Sequence, residues 1–144
     1  MLKLCRTADA AREAGRNSFD GYCVIEGLHR SSLGFLGPLD GAHIFSAKMA
    51  PEIAKAPLNV LPICRYRHNN PFGFYTGDEK GCMDLVGVDP KPPLERVAWL
   101  LRWADGDYRQ RVREQILELV YEALLVCEGV KKLEDDLIVM LNEI

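Results

Sequence analysis

The chain has 144 residues, of which 48% are hydrophobic and 27% charged, a composition typical of a globular domain rather than a disordered or fibrous chain. Its longest apolar runs are far shorter than the roughly 20 residues that cross a bilayer. Its N-terminal stretch also lacks the apolar core of a secretory signal. We therefore expect a single cytoplasmic domain over residues 1–144, with no membrane partner.

The formal charge of −3 is unevenly distributed along the chain. Residues 1–76 hold nine Lys and Arg against six Asp and Glu, whereas residues 77–144 hold nine against fifteen. All three histidines lie in the basic half, so the acidic total does not exclude a polyanionic substrate. The five cysteines include no C-x-x-C pair, which argues against a disulfide framework and against an intact zinc ribbon.

The first half of the chain predicts one helix and two short strands. Thr7 can cap a helix over residues 8–14, which Gly15 would end. Glycine and proline then dominate, and two apolar runs predict strands over residues 22–25 and 42–45. A loop or one helical turn bounded by prolines should fill residues 47–57.

The second half predicts a helical C-terminal third. The segment NVLPICRYRHNN begins extended or turning and enters a short helix near Cys64, and a long irregular connection follows over residues 71–93. From residue 94 the apolar period is helical in three segments, with Gly129 closing the second. The fold class is therefore α+β, a two-stranded centre surrounded by helices, with a helical extension over residues 94–144.

Three residues in the middle of the chain indicate a chemical function. His43 lies near one end of the second predicted strand, Asn59 follows 16 positions later, and His68 follows after nine more. With AHIF as a strand and NVLPICRYRHN after it, this pattern resembles the HNH endonuclease family over about residues 22–70. The resemblance implies a ββα-metal core, in which a strand ends in a histidine, a loop carries an asparagine and a helix carries a metal-binding histidine.

The resemblance also implies a role for each residue. His43 would be the general base that deprotonates water, a task suited to an imidazole with an ordinary pKa of about 6.5. His68 would be a ligand of one divalent cation, Mg²⁺ or Mn²⁺ in preference to Zn²⁺. Asn59 has no acid or base chemistry, so its amide would bond backbone groups across the loop and hold the His43 strand in place.

The chain departs from the family where Ala42 stands in place of the usual Asp or His before the base. One metal ligand is therefore missing, and Asp40, Asn69 or Asn70 could replace it; of these we choose Asp40. Four basic residues near the motif could contact phosphates or form an ordinary solvated face: Lys48, Lys55, Arg65 and Arg67.

A second departure concerns two C-x-x-C knuckles that bind structural zinc in some members of the family. Here each knuckle keeps its first cysteine, Cys23 or Cys64, while the second position is Glu26 or Arg67. We expect Glu26 and Arg67 to form an ion pair in place of the zinc, beside two reduced cysteines. The alternative is two independent surface charges.

The sequence thus favours a metal-dependent HNH endonuclease that cuts DNA, with double-stranded DNA favoured. The first alternative is a nucleic-acid-binding module that lost its metal site at Ala42, and the second is an assembly protein that docks through its helical third. The helices after residue 94 could form a homodimer or fold back onto the core. No nucleotide-binding, zinc-protease or serine-hydrolase motif is present.

Overall fold

The computed structural model describes residues 2–70, 78–85 and 92–143. At its centre, β1 (Leu39–His43) pairs antiparallel with β2 (Val60–Cys64), so that Leu39 faces Cys64 and His43 faces Val60. The loop between the strands contains two single-turn 3₁₀ helices, Pro51–Ile53 and Pro57–Asn59. Proline begins both turns because its fixed φ suits a first helical position.

The first helix, α1 (Ala8–Arg16), lies across this hairpin. The Thr7 hydroxyl caps it by accepting a hydrogen bond from the Ala10 amide at 3.0 Å, as predicted. Gly15 lies inside the helix rather than ending it. A Cβ at this position would stand 2.3 Å from Val60 Cγ1, which explains why the residue is glycine. A Cβ on Gly41 would likewise meet the Arg12 carbonyl oxygen at 2.2 Å. These two glycines therefore permit the close approach of helix and hairpin.

A short helix continues directly from the hairpin. The chain turns from β2 into α2 (Arg65–His68) and then into β3 (Asn69–Asn70), which pairs parallel with β4 (Asp84–Leu85). Most of the irregular connection predicted over residues 71–93 lies outside the described residues.

The C-terminal third is helical, as predicted, and it folds back onto the hairpin. Its helices are α3 (Pro93–Trp103), α4 (Arg109–Val126), α5 (Glu128–Lys131) and α6 (Glu134–Glu143). Their inner faces join the hairpin in one apolar core, which includes Ile44, Leu61, Val97, Leu100, Ile116, Leu119 and Leu137. None of the described helices has the length and hydropathy needed to cross a membrane.

The mixture of helices and strands agrees with the α+β prediction, but the first predicted strand is wrong. Residues 22–25 form only a single bridge, from Tyr22 to His29, followed by a turn. Gly27, with φ of +69°, closes this turn by donating its amide to the Cys23 carbonyl at 2.8 Å. Cys23, Val24 and Ile25 are buried in the core although they lie in a turn and not in a strand.

Two boundaries also differ from the prediction. The second strand begins at Leu39 and ends at His43, and its partner is the segment from Val60 that was expected to be extended or turning. Gly129 lies within α5, and α4 ends at Val126 because Cys127 adopts extended backbone angles.

Candidate active site

His43 occupies the last position of β1 with its ring held at one end. Its Nε2 lies 2.9 Å from the carbonyl oxygen of Ala54, in the loop between the strands. A carbonyl can only accept a hydrogen bond, so Nε2 carries the hydrogen. In the neutral ring, Nδ1 then keeps its lone pair, which is the arrangement that a general base requires.

The surroundings of His43 favour this neutral form. Burial lowers the pKa of His43 below its ordinary value, and the nearby guanidinium groups of Arg12 and Arg96 lower it further. The hydrogen bond to Ala54 opposes the shift without reversing it. At neutral pH the ring is therefore uncharged and able to take up a proton.

Asn59 fastens the loop to the end of β1. It is completely buried, its side-chain oxygen accepts the Phe45 amide at 2.9 Å, and its Nδ2 donates to the Phe45 carbonyl at 2.9 Å. A third, longer hydrogen bond joins Nδ2 to the carbonyl of Ile53 at 3.4 Å. Because Phe45 follows His43 by two residues, these bonds fix the backbone that carries the histidine.

His68 and Asp40 meet beside the hairpin. The Nδ1 of His68 lies 3.1 Å from Asp40 Oδ2, and Arg65 approaches both Asp40 oxygens, at 3.0 and 3.3 Å. Burial raises the pKa of Asp40, but the hydrogen bonds from His68 and Arg65 outweigh it and leave the pKa below its usual value. Asp40 is therefore an anion at neutral pH.

His68 Nδ1 donates to Asp40, so the nitrogen that remains to bind a cation is Nε2, and Asp40 would orient the ring. Carboxylates and substrate phosphates suit Mg²⁺ and Mn²⁺, whereas an imidazole suits Zn²⁺ and other transition metals. Ala42, at the position of the missing ligand, is buried and contributes no donor. No cluster of three or more His, Cys, Asp or Glu side chains suited to a metal occurs among the described residues, and the side chain of Asn70 is outside them.

Three of the four basic residues near the motif are exposed, and we call them the basic rim. Lys48 and Lys55 are exposed on the loop, and the Arg65 side chain is 46% exposed beside Asp40. Arg67 does not belong to this rim, which corrects the prediction. Its side chain is buried among acceptors that satisfy its guanidinium, so it cannot reach a phosphate.

The partners of Arg67 confirm the ion pair predicted in place of the zinc. Its Nε lies 2.5 Å from Glu26, and its terminal nitrogens bond Asp78 at 2.6 and 2.9 Å. Cys23 and Cys64 are buried next to this pair as free thiols. The Cys23 sulfur accepts the amides of Cys64 at 3.2 Å and Glu26 at 3.4 Å.

The pKa values of the Cys23 and Cys64 thiols are shifted in opposite directions. The hydrogen bond from the Cys64 thiol is the main reason that the pKa of Cys23 falls to about 7, and backbone amides lower it further against the effect of burial. The same hydrogen bond, together with burial, raises the pKa of Cys64. If one sulfur ionises, it is therefore Cys23.

Sequence reasoning missed two residues that contact this region, Arg96 and Asp84. Arg96 bonds the carbonyls of His43 and Ile44 and forms an ion pair with Asp84. The signal was present in the sequence, since Arg96 is four residues before Leu100 on the buried side of α3. An arginine at such a position needs a buried acceptor.

Comparison with protein families, with curated proteins and with solved structures finds no match for this chain.

Proposed function

We propose that this chain is a metal-dependent HNH-type endonuclease that hydrolyses DNA phosphodiester bonds. The observation that carries the proposal is the state of His43, whose Nε2 is bound to the Ala54 carbonyl so that Nδ1 keeps its lone pair. The order of elements gives further support: β1 ends in His43, Asn59 closes the loop, and α2 ends in His68. This is the order of the ββα-metal motif that the sequence resembles.

In the proposed reaction, His43 Nδ1 removes a proton from a water molecule. The water oxygen attacks phosphorus as the bond to the 3′ oxygen breaks, and that oxygen leaves with the electron pair. His68 would hold the divalent cation through Nε2 while Asp40 orients its ring, and the cation when bound would supply positive charge opposite the developing negative charge. Asn59 keeps the loop and the His43 strand in register throughout.

Double-stranded DNA is the proposed substrate, and exposed Lys48, Lys55 and Arg65 supply positive charge for its backbone. One site cuts one strand, so the expected product is a nick. Cutting both strands requires a second copy. Exposed apolar side chains on the outer side of α4 and α6 offer it a contact surface, among them Tyr121, Leu125 and Val139.

One observation favours a second candidate function, a nucleic-acid-binding or assembly protein without catalysis. The carboxylate predicted as a ligand, Asp40, is already paired with Arg65 and His68, which leaves the imidazole of His68 as the donor among the described residues of this site. Such a protein would keep the fold and the basic loop while lacking the metal needed for hydrolysis.

Plasmid nicking separates these functions. Supercoiled DNA is incubated with the protein in Mg²⁺ or Mn²⁺, with and without EDTA, and binding is measured in parallel by gel shift. The endonuclease proposal predicts nicks that EDTA abolishes and that persist in His29→Ala, a control histidine bonded to Ser31 in a separate loop. DNA binding without nicking would support the nucleic-acid-binding form of the second candidate. A protein that neither nicks nor binds DNA would fit its assembly form.

A further inference from the structure

A single arginine from outside the motif holds the end of the β1 strand. Arg96, in the first turn of α3, is only 4% exposed. Its Nη2 donates to the His43 carbonyl at 2.5 Å, and its Nε donates to the Ile44 carbonyl at 3.1 Å. The guanidinium therefore fixes two consecutive peptide groups, one of them belonging to His43 itself.

The remaining terminal nitrogen of Arg96 connects this strand to the other side of the site. Its Nη1 contacts both oxygens of Asp84, at 2.7 and 2.5 Å. Asp84 begins β4 and pairs with Asn69, the residue that directly follows His68. One side chain thus links the backbone of His43 to the strand beside His68.

We propose that the Arg96–Asp84 pair is a positioning device that sets His43 relative to His68. Neither residue contacts the proposed reacting atoms, so neither is a catalytic residue. The inference rests on the proposed function for its effect on hydrolysis, but the placement of the His43 ring can be tested without it.

The chemistry of arginine explains why this residue is used. Its planar group presents five donors in fixed directions, which lets it bond two carbonyls and a carboxylate at once. A lysine ammonium at the same position has a different shape and cannot reproduce this set of directed bonds. The two strand-end carbonyls would then lose their common support, and the two peptide groups would be held only through their amides, which bond Asn59.

The His43 side chain itself does not depend on Arg96 for its hydrogen bond, because that bond goes to Ala54. Its orientation also depends on its backbone, which pairs with Val60 in the hairpin and is held at the strand end by Asn59 and Arg96. Asn59 holds the residues after it, and Arg96 holds its own carbonyl. Loss of Arg96 should therefore disturb the His43 ring while the hydrogen bonds between Asn59 and Phe45 remain.

The test compares Arg96→Lys with Arg102→Lys, a control on the same helix where the arginine is exposed and packs over Trp103. The first measurement is ¹⁵N NMR of the His43 ring, at a pH where the imidazole is neutral. Wild type and Arg102→Lys should show the hydrogen on Nε2. Arg96→Lys should shift this signal toward a mixture of the two tautomers.

The second measurement is steady-state nicking. A displacement of about 1 Å in a reacting group can cost about 10²-fold in rate, so kcat of Arg96→Lys should fall by about that factor. KM for the plasmid should stay unchanged, because Arg96 does not contact DNA. An Arg96→Lys protein with the wild-type ring signal, or with wild-type kcat, would overturn the proposal.

A second variant covers the case in which Arg96→Lys fails to fold. Asp84→Asn keeps the shape of the partner and removes its charge, and it should change the His43 ring signal and lower kcat in the same direction. An unchanged ring signal in folded Asp84→Asn would contradict the proposal. If the wild-type protein does not nick DNA, the ring signal still decides the positioning claim, and the proposed function fails separately.

Discussion

Replacing Asn59 with alanine should destabilise the protein because it removes buried hydrogen bonds and returns nothing for them. The Phe45 amide and carbonyl both lose their partner, and the longer bond to Ile53 is lost as well. Each buried group left unpaired costs about 1–3 kcal/mol, so the two Phe45 groups together cost about 2–6 kcal/mol. A central value of about 4 kcal/mol corresponds to a fall of about 12 °C in melting temperature for a domain of this size.

Thermal and urea unfolding of purified variants measure this cost. Asn142→Ala is a suitable control because Asn142 is exposed on α6, and it should change the free energy of unfolding by no more than about 0.5 kcal/mol. An Asn59→Ala protein with the melting temperature of the wild type would refute the reasoning, since it would mean that the amide does not bridge the loop.

The Asn59→Asp variant tests separately the donor and acceptor halves of the Asn59 amide. The carboxylate can still accept the Phe45 amide, but it cannot donate to the Phe45 carbonyl and would place a negative oxygen against it. The variant should therefore be destabilised at neutral pH. It should regain stability as the pH falls and the acid, with its pKa raised by burial, takes up a proton. Wild-type stability at neutral pH would show that the donor half of the amide is unimportant.

Three further predictions follow from other parts of the fold. Glu26→Cys combined with Arg67→Cys should bind one Zn²⁺ together with Cys23 and Cys64, and the absence of zinc by elemental analysis would contradict the knuckle geometry. A chain ending at residue 92 should show the circular dichroism of an unfolded protein, because the hairpin core loses Val97, Leu100 and Ile116; a cooperative melting transition would disprove this. Stability should fall as the pH drops below about 6.5, because the pKa of folded His43 is depressed and the unfolded chain binds that proton more readily. His43→Gln should reduce this dependence, and denaturant titrations across pH that coincide for the two proteins would count against it.

Local sequence signals predicted the helices well. Thr7 marked the start of α1, and the apolar period after residue 94 marked the C-terminal helices, because capping and amphipathic periodicity act within a few residues. Gly15 and Gly129 were interpreted as helix ends because only their backbone freedom was considered. Gly15 instead allows a close contact with Val60, which depends on a segment 45 residues away.

The strands were harder to predict because they, too, depend on contacts between segments that are distant in the sequence. Residues 22–25 have the apolar, β-branched composition of a strand, yet Gly27 turns them into a buried loop. In the site, spacing brought His43, Asn59 and His68 to attention, and the Glu26–Arg67 pair followed from comparing two knuckles. Arg67 could not be in the ion pair and on the phosphate rim at once, and only its burial decides between them. Arg96 escaped notice because its partners lie up to 53 residues away.

The most direct test of the account measures nicking rate and Mn²⁺ affinity on the same preparations of wild type, His43→Ala and His68→Ala. His43 is assigned to water activation, so His43→Ala should lose about 10² to 10⁴-fold in rate and keep the wild-type Mn²⁺ affinity. His68→Ala should lose both, since its imidazole is assigned to the cation. Wild-type nicking by His43→Ala, or wild-type Mn²⁺ affinity in His68→Ala, would contradict the division of roles on which the proposed mechanism rests.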